Sequence, residues 1–357
     1  MTERPPPKML SVLRRVAPGT PLRDGLDRIL QGNKGALIVV ADGPEVLNIC
    51  SGGFLLDAAY SPQRLSELAK MDGAIILAAD ASRIARANVH LVPDPNVPTS
   101  ETGTRHRTAE RVARSIEVPV VSVSEAMSTI TVYMGDHKHV LEPPTEIVFR
   151  ANQALRTLER YRDRLDEVRN SLSSLEVEDL VTLRDMVAVL QRTEMVRRIA
   201  SEIEVDIVEL GTTGRLVGLQ LLELMAGVED DRRHLIKDYF HEEASWHLEE
   251  SLAALDALDN QRLLDLTRVA GVLHIPDAAL DLDTPVTSRG YRLLAQIPRL
   301  PESIIERVIV HFGSLPKIMR ASLEDLEEVD GVGEARAHAI KDGLARLTES
   351  TILGRYG

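Results

Sequence analysis

Gly103-Thr104-Arg105-His106-Arg107-Thr108-Ala109-Glu110 gathers two arginines, a histidine and two hydroxyl side chains, and an amphipathic helical pattern follows at once. Such a run puts cations and hydroxyl donors where the unpaired N–H groups of a helix start also point. That arrangement suits an anion, most simply the phosphates of a nucleotide. About thirty residues earlier, Asp72-Gly73-Ala74 lies inside an apolar run. A carboxylate on one segment and a cationic phosphate cradle on another are the parts that a phosphoryl- or nucleotidyl-transfer site requires.

Outward from these two motifs, strands and helices alternate. Residues 35–41 read as a buried strand closed by Asp42-Gly43, and residues 74–78 as a second. Between them Ser61 is the expected cap of a helix, with Pro62 at its first position. A helix over 108–116 and strands over 118–123 and 129–133 complete an α/β domain. His137 and His139 share one face of a further strand, and no histidine spacing suits a metal.

Beyond Pro143-Pro144 the apolar period changes to three or four: Val148, Ala151, Leu155, Leu158, Tyr161, Leu165, Val168, Leu172 and Leu175. This predicts a long amphipathic helix. Helices over 181–199, 203–225 (with Gly211 and Gly214 as possible breaks), 232–258 and 260–270 would follow, making a structural spine with a solvated acidic face. Residues 284–290 read as a linker. Two turn signals then lie 32 residues apart: Ile297-Pro298-Arg299-Leu300-Pro301 and Val329-Asp330-Gly331-Val332-Gly333. Both are flanked by helical patterns, a weak internal duplication. The expected division is therefore an α/β domain over 1–145, a mainly helical spine over 146–287, and a small all-α domain over 288–357.

The net charge of −13 is uneven. Residues 1–150 carry 17 Lys+Arg against 17 Asp+Glu, 151–290 carry 16 against 28, and 291–357 carry 9 against 10. The acidity belongs to the spine, so it does not argue against an anionic partner for either end. The single Cys50 rules out an intramolecular disulfide and reads as a small apolar residue. No P-loop occurs, which weakens a nucleoside-triphosphatase reading. No apolar run is long enough to span a membrane and no signal peptide is evident, so a cytoplasmic location is expected.

The stretch from Leu326 to Ile340, with Gly331-Val332-Gly333 at its turn, resembles the helix-hairpin-helix module of DNA repair and recombination proteins. Glycine-borne backbone N–H groups there would take a DNA phosphate without reading sequence. Arg299, Lys317, Arg336 and Lys341 would add charge. The first copy departs from the pattern, because Arg299 and prolines replace its glycines.

The Asp72-Gly73-Ala74 and Arg105-His106-Arg107 pair resembles the diadenylate cyclase domain, which joins two ATP molecules into cyclic di-AMP and releases two pyrophosphates. Together with the spine and the tandem hairpins, it makes the whole chain similar to the DNA-integrity scanning family of bacteria. The resemblance implies chemistry at Asp72, Arg105 and His106, with Asp72 activating the ribose 3′-hydroxyl directly or through Mg²⁺ or Mn²⁺. It implies phosphate contacts from Thr104, Arg105, His106, Thr108 and Ser124. It places Gly73 beside the ribose and Leu91 near the adenine. It further implies an octamer, branched or junction DNA as partner, and lower cyclase activity when that DNA is bound.

Overall fold

The computed structural model describes residues 5–240, 248–274 and 281–356. The chain divides into two compact units, Met1–Leu155 with Ser201–Leu221, and Arg156–Ala200 with Leu222–Gly357. The borders expected at 145 and 287 do not coincide with these. The reason lies in packing: the spine's two longest helices each give one end to either unit.

The first unit is built on one eight-stranded sheet. Its strands are β1 (Ala36–Val40), β2 (Cys50–Ser51), β3 (Phe54–Ala59), β4 (Ala74–Leu77), β5 (Arg83–Leu91), β6 (Val120–Ser124), β7 (Thr129–Met134) and β8 (His137–Leu141). They run in the order β2-β5-β4-β1-β6-β7-β8, with β3 also on β5. Only β1 and β4 pair in parallel. Helices α1 (Pro7–Arg15), α2 (Pro21–Gln31), α3 (Pro44–Asn48), α4 (Pro62–Leu68) and α5 (Thr104–Ile116) surround the sheet. Alternation along the central strand explains the layers. Ile38 and Val40 meet Leu13, Leu26 and Leu65 from α1, α2 and α4 on one face. Leu37 and Val39 meet Ala109, Val112 and Ala113 of α5 on the other. Ser61 caps α4 as expected, its hydroxyl accepting from the Arg64 N–H at 3.2 Å.

Six elements of this unit escape the sequence reading: α1, α2, α3, β2, β3 and β5. Strand β3 is exposed along most of its length and bulged at Asp57, so it lacks the alternation that marks a half-buried strand.

The spine begins with α6 (Pro144–Glu178) and α7 (Leu183–Leu210), joined through a short 3₁₀ turn at Gly211–Gly214 to α8 (Arg215–Leu224). The glycine break falls where the sequence suggested. In the first unit, Arg150 pairs with Asp206 at 2.8 Å and His139 with Glu209 at 2.9 Å, fastening these helix ends beside the sheet.

The second unit continues with α9 (Val228–Tyr239), α10 (Leu248–Ala257), α11 (Asn260–Leu263), α12 (Leu266–Gly271), α13 (Tyr291–Leu294), α14 (Glu302–Phe312), α15 (Leu315–Arg320), α16 (Leu323–Glu327) and α17 (Glu334–Tyr356). The helix expected over 232–258 is thus two helices, with 241–247 outside the described residues. The solvated acidic face needs correction. Glu176, Glu194, Asp231 and Asp238 are all buried in this unit. Each has an arginine or a set of backbone donors: Glu176 pairs with the buried Arg292, Glu194 with Arg197 and Arg198, and Asp231 with Arg169. Buried charges persist only when paired in this way. Asp238 caps α13, accepting from the N–H groups of Gly290, Tyr291 and Arg292. The supposed linker is accordingly held in place, with Ser288 and Gly290 packed against the core of this unit.

Candidate functional site

Helix α5 starts inside the octet itself, at Thr104 rather than Thr108. Gly103 caps it with extended backbone and no side-chain bond. The N–H groups of the first turn therefore keep their donor capacity, and the positive end of the helix points outward there. A cavity of about 930 Å³ opens at this point. Asp72, Gly73, Leu91, Thr104, Arg105, His106, Thr108 and Ser124 all line it. Four separate segments deliver them: the turn before β4, the end of β5, the start of α5 and the end of β6.

Asp72 projects fully into solvent at the cavity, with Arg105 as its nearest charge at 3.9 Å. The Arg105 guanidinium lies across Gly35. A Cβ on Gly35 would stand 2.0 Å from Arg105 Nη1, so any larger residue there would push the guanidinium out of this position. Gly73 has a similar reason, distinct from any ligand. Its Cβ would strike the Asn88 backbone at 2.4 Å, and Asn88 itself adopts the left-handed conformation where β5 passes beneath.

His106 is held from behind. Its Nδ1 lies 2.8 Å from the Tyr133 hydroxyl, which donates to Glu101 Oε1 at 2.9 Å. Lys138 Nζ reaches the same oxygen at 2.5 Å. Burial pushes the imidazole below its ordinary pKa; Glu101 pulls it up, while Lys138 and Arg105 add to the depression. Thr108 donates to the Thr104 carbonyl at 3.0 Å, leaving its lone pairs open. Ser124 lines the cavity, and its hydroxyl accepts from Met127 N at 3.3 Å to close the next turn. Arg107 turns away and braces the Glu101 and Thr102 carbonyls.

The loop before α5 is fixed by the buried Glu110. Its carboxylate accepts from Thr99 Oγ1 at 2.5 Å and Ser100 N at 3.0 Å, and pairs with Arg114 at 3.2 Å. Burial alone would push Glu110 up; these partners outweigh it and hold it below the usual carboxylate range. The sequence reading missed Gly35, Glu101 and Tyr133, along with the lining residues Leu37, Asn88, His90 and Glu125. Only Tyr133 carried a signal, a phenol on the apolar face of a strand.

The hairpins of the second unit repeat closely. Leu300 N bonds the Ile297 carbonyl as Val332 N bonds that of Val329, and Ile304 N bonds Pro301 as Arg336 N bonds Gly333. Arg299 and Gly331 are the matching left-handed residues, at φ 63° and 83°. The copies differ at one donor: Pro301 stands where Gly333 offers an N–H. The Gly331 and Gly333 N–H groups have no partner among the described residues. Val332, expected at a DNA contact, has its side chain in the core at 4% exposure, because the turn needs an apolar plug against Ile304 and Ile340. Lys341 donates to the Met319 carbonyl at 3.0 Å and Arg336 to that of Gly331. Arg299 is exposed.

Comparison with known proteins accounts for this arrangement. Residues 23–138 match the family model described as DisA bacterial checkpoint controller nucleotide-binding, and residues 141–280 that of the DisA linker region. Residues 314–343 match the helix-hairpin-helix motif. The chain is 55% identical to the DNA integrity scanning protein DisA of Frankia alni over 97% of both chains. It is 54% identical to that of Streptomyces coelicolor over 98% of this chain and 94% of the relative. The chain belongs to the DisA family. Within that family it carries a cyclase-type nucleotide-binding domain and a helix-hairpin-helix module. The model matched at 314–343 covers the second hairpin alone, the copy that keeps both glycines. Among the described residues no helix is long and apolar enough to cross a membrane.

Proposed function

We propose that the chain is a cytoplasmic diadenylate cyclase, condensing two ATP molecules into cyclic di-AMP and two pyrophosphates, with its output set by DNA. The observation that carries this reading is the convergence of Asp72, Arg105, His106, Leu91 and Ser124 on one cavity at the start of α5. Each ribose 3′-oxygen attacks the α-phosphorus of the other nucleotide, and each α-phosphorus–oxygen bond to pyrophosphate breaks. One cavity holding one ATP supplies only half of these partners. Two copies must therefore face each other about a two-fold axis. An octamer of two tetramers, as the family suggests, is one way to build such pairs. The exposed edge strand β3, with Phe54 and Leu55 at 56% and 71% exposure, supports assembly.

In each half, Asp72 orients the 3′-hydroxyl and takes up its proton as the oxygen attacks. Arg105, Thr104, Thr108, Ser124 and the α5 N–H groups hold the triphosphate, and Leu91 packs on the adenine. Among the described residues no three metal-ligating side chains cluster, and Asp72 is an exposed carboxylate at the cavity. That donor set fits Mg²⁺ or Mn²⁺ held jointly by Asp72 and triphosphate oxygens, not a protein cage. Such an ion would offset charge on the transferred phosphoryl group.

Branched or junction DNA would bind through the Gly331 and Gly333 N–H groups, with Arg299, Lys317 and Arg336 adding charge. Its binding would favour a less productive pairing of the two cavities. Chromatography of labelled ATP after incubation with the full chain tests the reading, with junction DNA, linear duplex or no DNA present. Cyclic di-AMP that diminishes with junction DNA is expected. ADP with phosphate, or unchanged ATP, would refute the cyclase. Equal rates in all three arms, with junction binding shown separately, would refute the coupling.

A further inference from the structure

The polar chain behind His106 has a direction that can be read from its donors. Glu101 Oε1 receives Lys138 Nζ at 2.5 Å and the Tyr133 hydroxyl at 2.9 Å. An ionised carboxylate beside an ammonium only accepts. Burial would push Glu101 up, but Lys138 and Tyr133 outweigh it and keep it below the usual range. The one hydrogen of the Tyr133 hydroxyl is therefore committed to Glu101, and toward His106 the oxygen has only lone pairs to offer. Nδ1, 2.8 Å away, must be the donor. The ring's other nitrogen, Nε2, is shielded from solvent and without a hydrogen-bond partner among the described residues. A second proton there would leave a buried N–H unpaired, which is costly, whereas a lone pair tolerates the site better.

We propose that Tyr133 and Glu101 are positioning residues that hold His106 in a single neutral tautomer, proton on Nδ1 and a bare lone pair on the buried Nε2, and so fix the ring at the edge of the cavity. His106 is then not a phosphate cation. The phosphates rest on Arg105 and the α5 N–H groups, with the neutral His106 ring packed behind them. Its role in turnover rests on the cyclase reading; its tautomer does not.

The test uses the full chain labelled with ¹⁵N-histidine, its His106 signals assigned by difference against His106→Gln. A protonated Nδ1 and a bare Nε2 are expected in the unmutated chain. Tyr133→Phe keeps the ring packing and removes the acceptor, so a tautomer mixture should appear. In the product assay kcat should fall about tenfold, while KM for ATP stays within about twofold, because the phosphate contacts are untouched. Glu101→Gln is the conservative rescue. Lys138 can bond only the amide oxygen, which keeps that oxygen facing Tyr133 and preserves both the tautomer and kcat. Glu101→Leu should lose both. A protonated Nε2 in the unmutated chain overturns the proposal, and so does a Tyr133→Phe chain whose tautomer and kcat are unchanged. If the unmutated chain makes no cyclic product, the cyclase reading fails alone, and the tautomer still decides the relay.

Discussion

The start of α5 in one unit and the hairpin at 329–333 in the other are both turns suited to an anion, yet they are furnished in opposite ways. At α5 the side chains face the cavity: Asp72, Arg105 and His106 keep polar atoms free of strong protein bonds. At the hairpin the long cations are largely spent on the chain's own carbonyls, as Arg336 and Lys341 show, and two glycine N–H groups are left open. Chemistry on a phosphate needs specific side chains aimed at the reacting atoms. Holding a backbone of any sequence needs only donors at a fixed spacing. The duplicated hairpin sharpens the point, since Pro301 removes one N–H without disturbing the turn's remaining bonds.

The comparison can be broken by exchanging the two kinds of change. The largest effect belongs to the cavity. Arg105→Ala should lower cyclic product formation by about 10²–10³-fold, with DNA affinity unchanged in a gel-shift titration. Gly35→Ala should follow it in direction, because the new methyl displaces the same guanidinium. A DNA defect of equal size in either variant would erase the distinction.

A smaller effect is expected at the hairpin. Gly333→Pro imposes on the second copy what Pro301 already does in the first. Losing one N–H to a charged phosphate should weaken DNA binding about 10- to 100-fold, measured at fixed salt. Arg336→Ala should matter less, since its guanidinium mainly braces Gly331. The reverse ranking would return DNA binding to the side chains.

The smallest effect concerns charge around His106, which faces Glu101, Tyr133, Lys138 and Arg105. Its folded pKa lies below the ordinary 6.5. The unfolded chain then binds the proton first, so this group's contribution to stability is full above about 6.5 and is lost as pH falls through the folded value. Lys138→Met should raise the pKa, and Glu101→Gln should lower it further. A histidine titration followed by NMR reads both signs.

Much of this was legible beforehand where local rules act alone. Strand β1 was a five-residue apolar run and α4 carried Ser61 and Pro62 at its start, while the eight nucleotide contacts implied by the family resemblance line one cavity. What was hidden depends on partners distant in sequence. Gly35 looks ordinary until Arg105 crosses it, and Glu101 looks like a loop acid until Tyr133 and Lys138 converge on it. The buried acids of α6 and α9 were misread as a solvated face because their arginines lie up to 116 residues away. Val332 was expected at a DNA contact, but it is buried in the core of its unit.

The proposed reaction stands on two cavities completing one another. Specific activity over a dilution series, with assembly state followed by light scattering and ATP binding measured per chain, examines that directly. Product formation per chain should vanish as the assembly falls to monomers, while ATP binding persists. A monodisperse monomer producing cyclic di-AMP at the undiluted rate would contradict it.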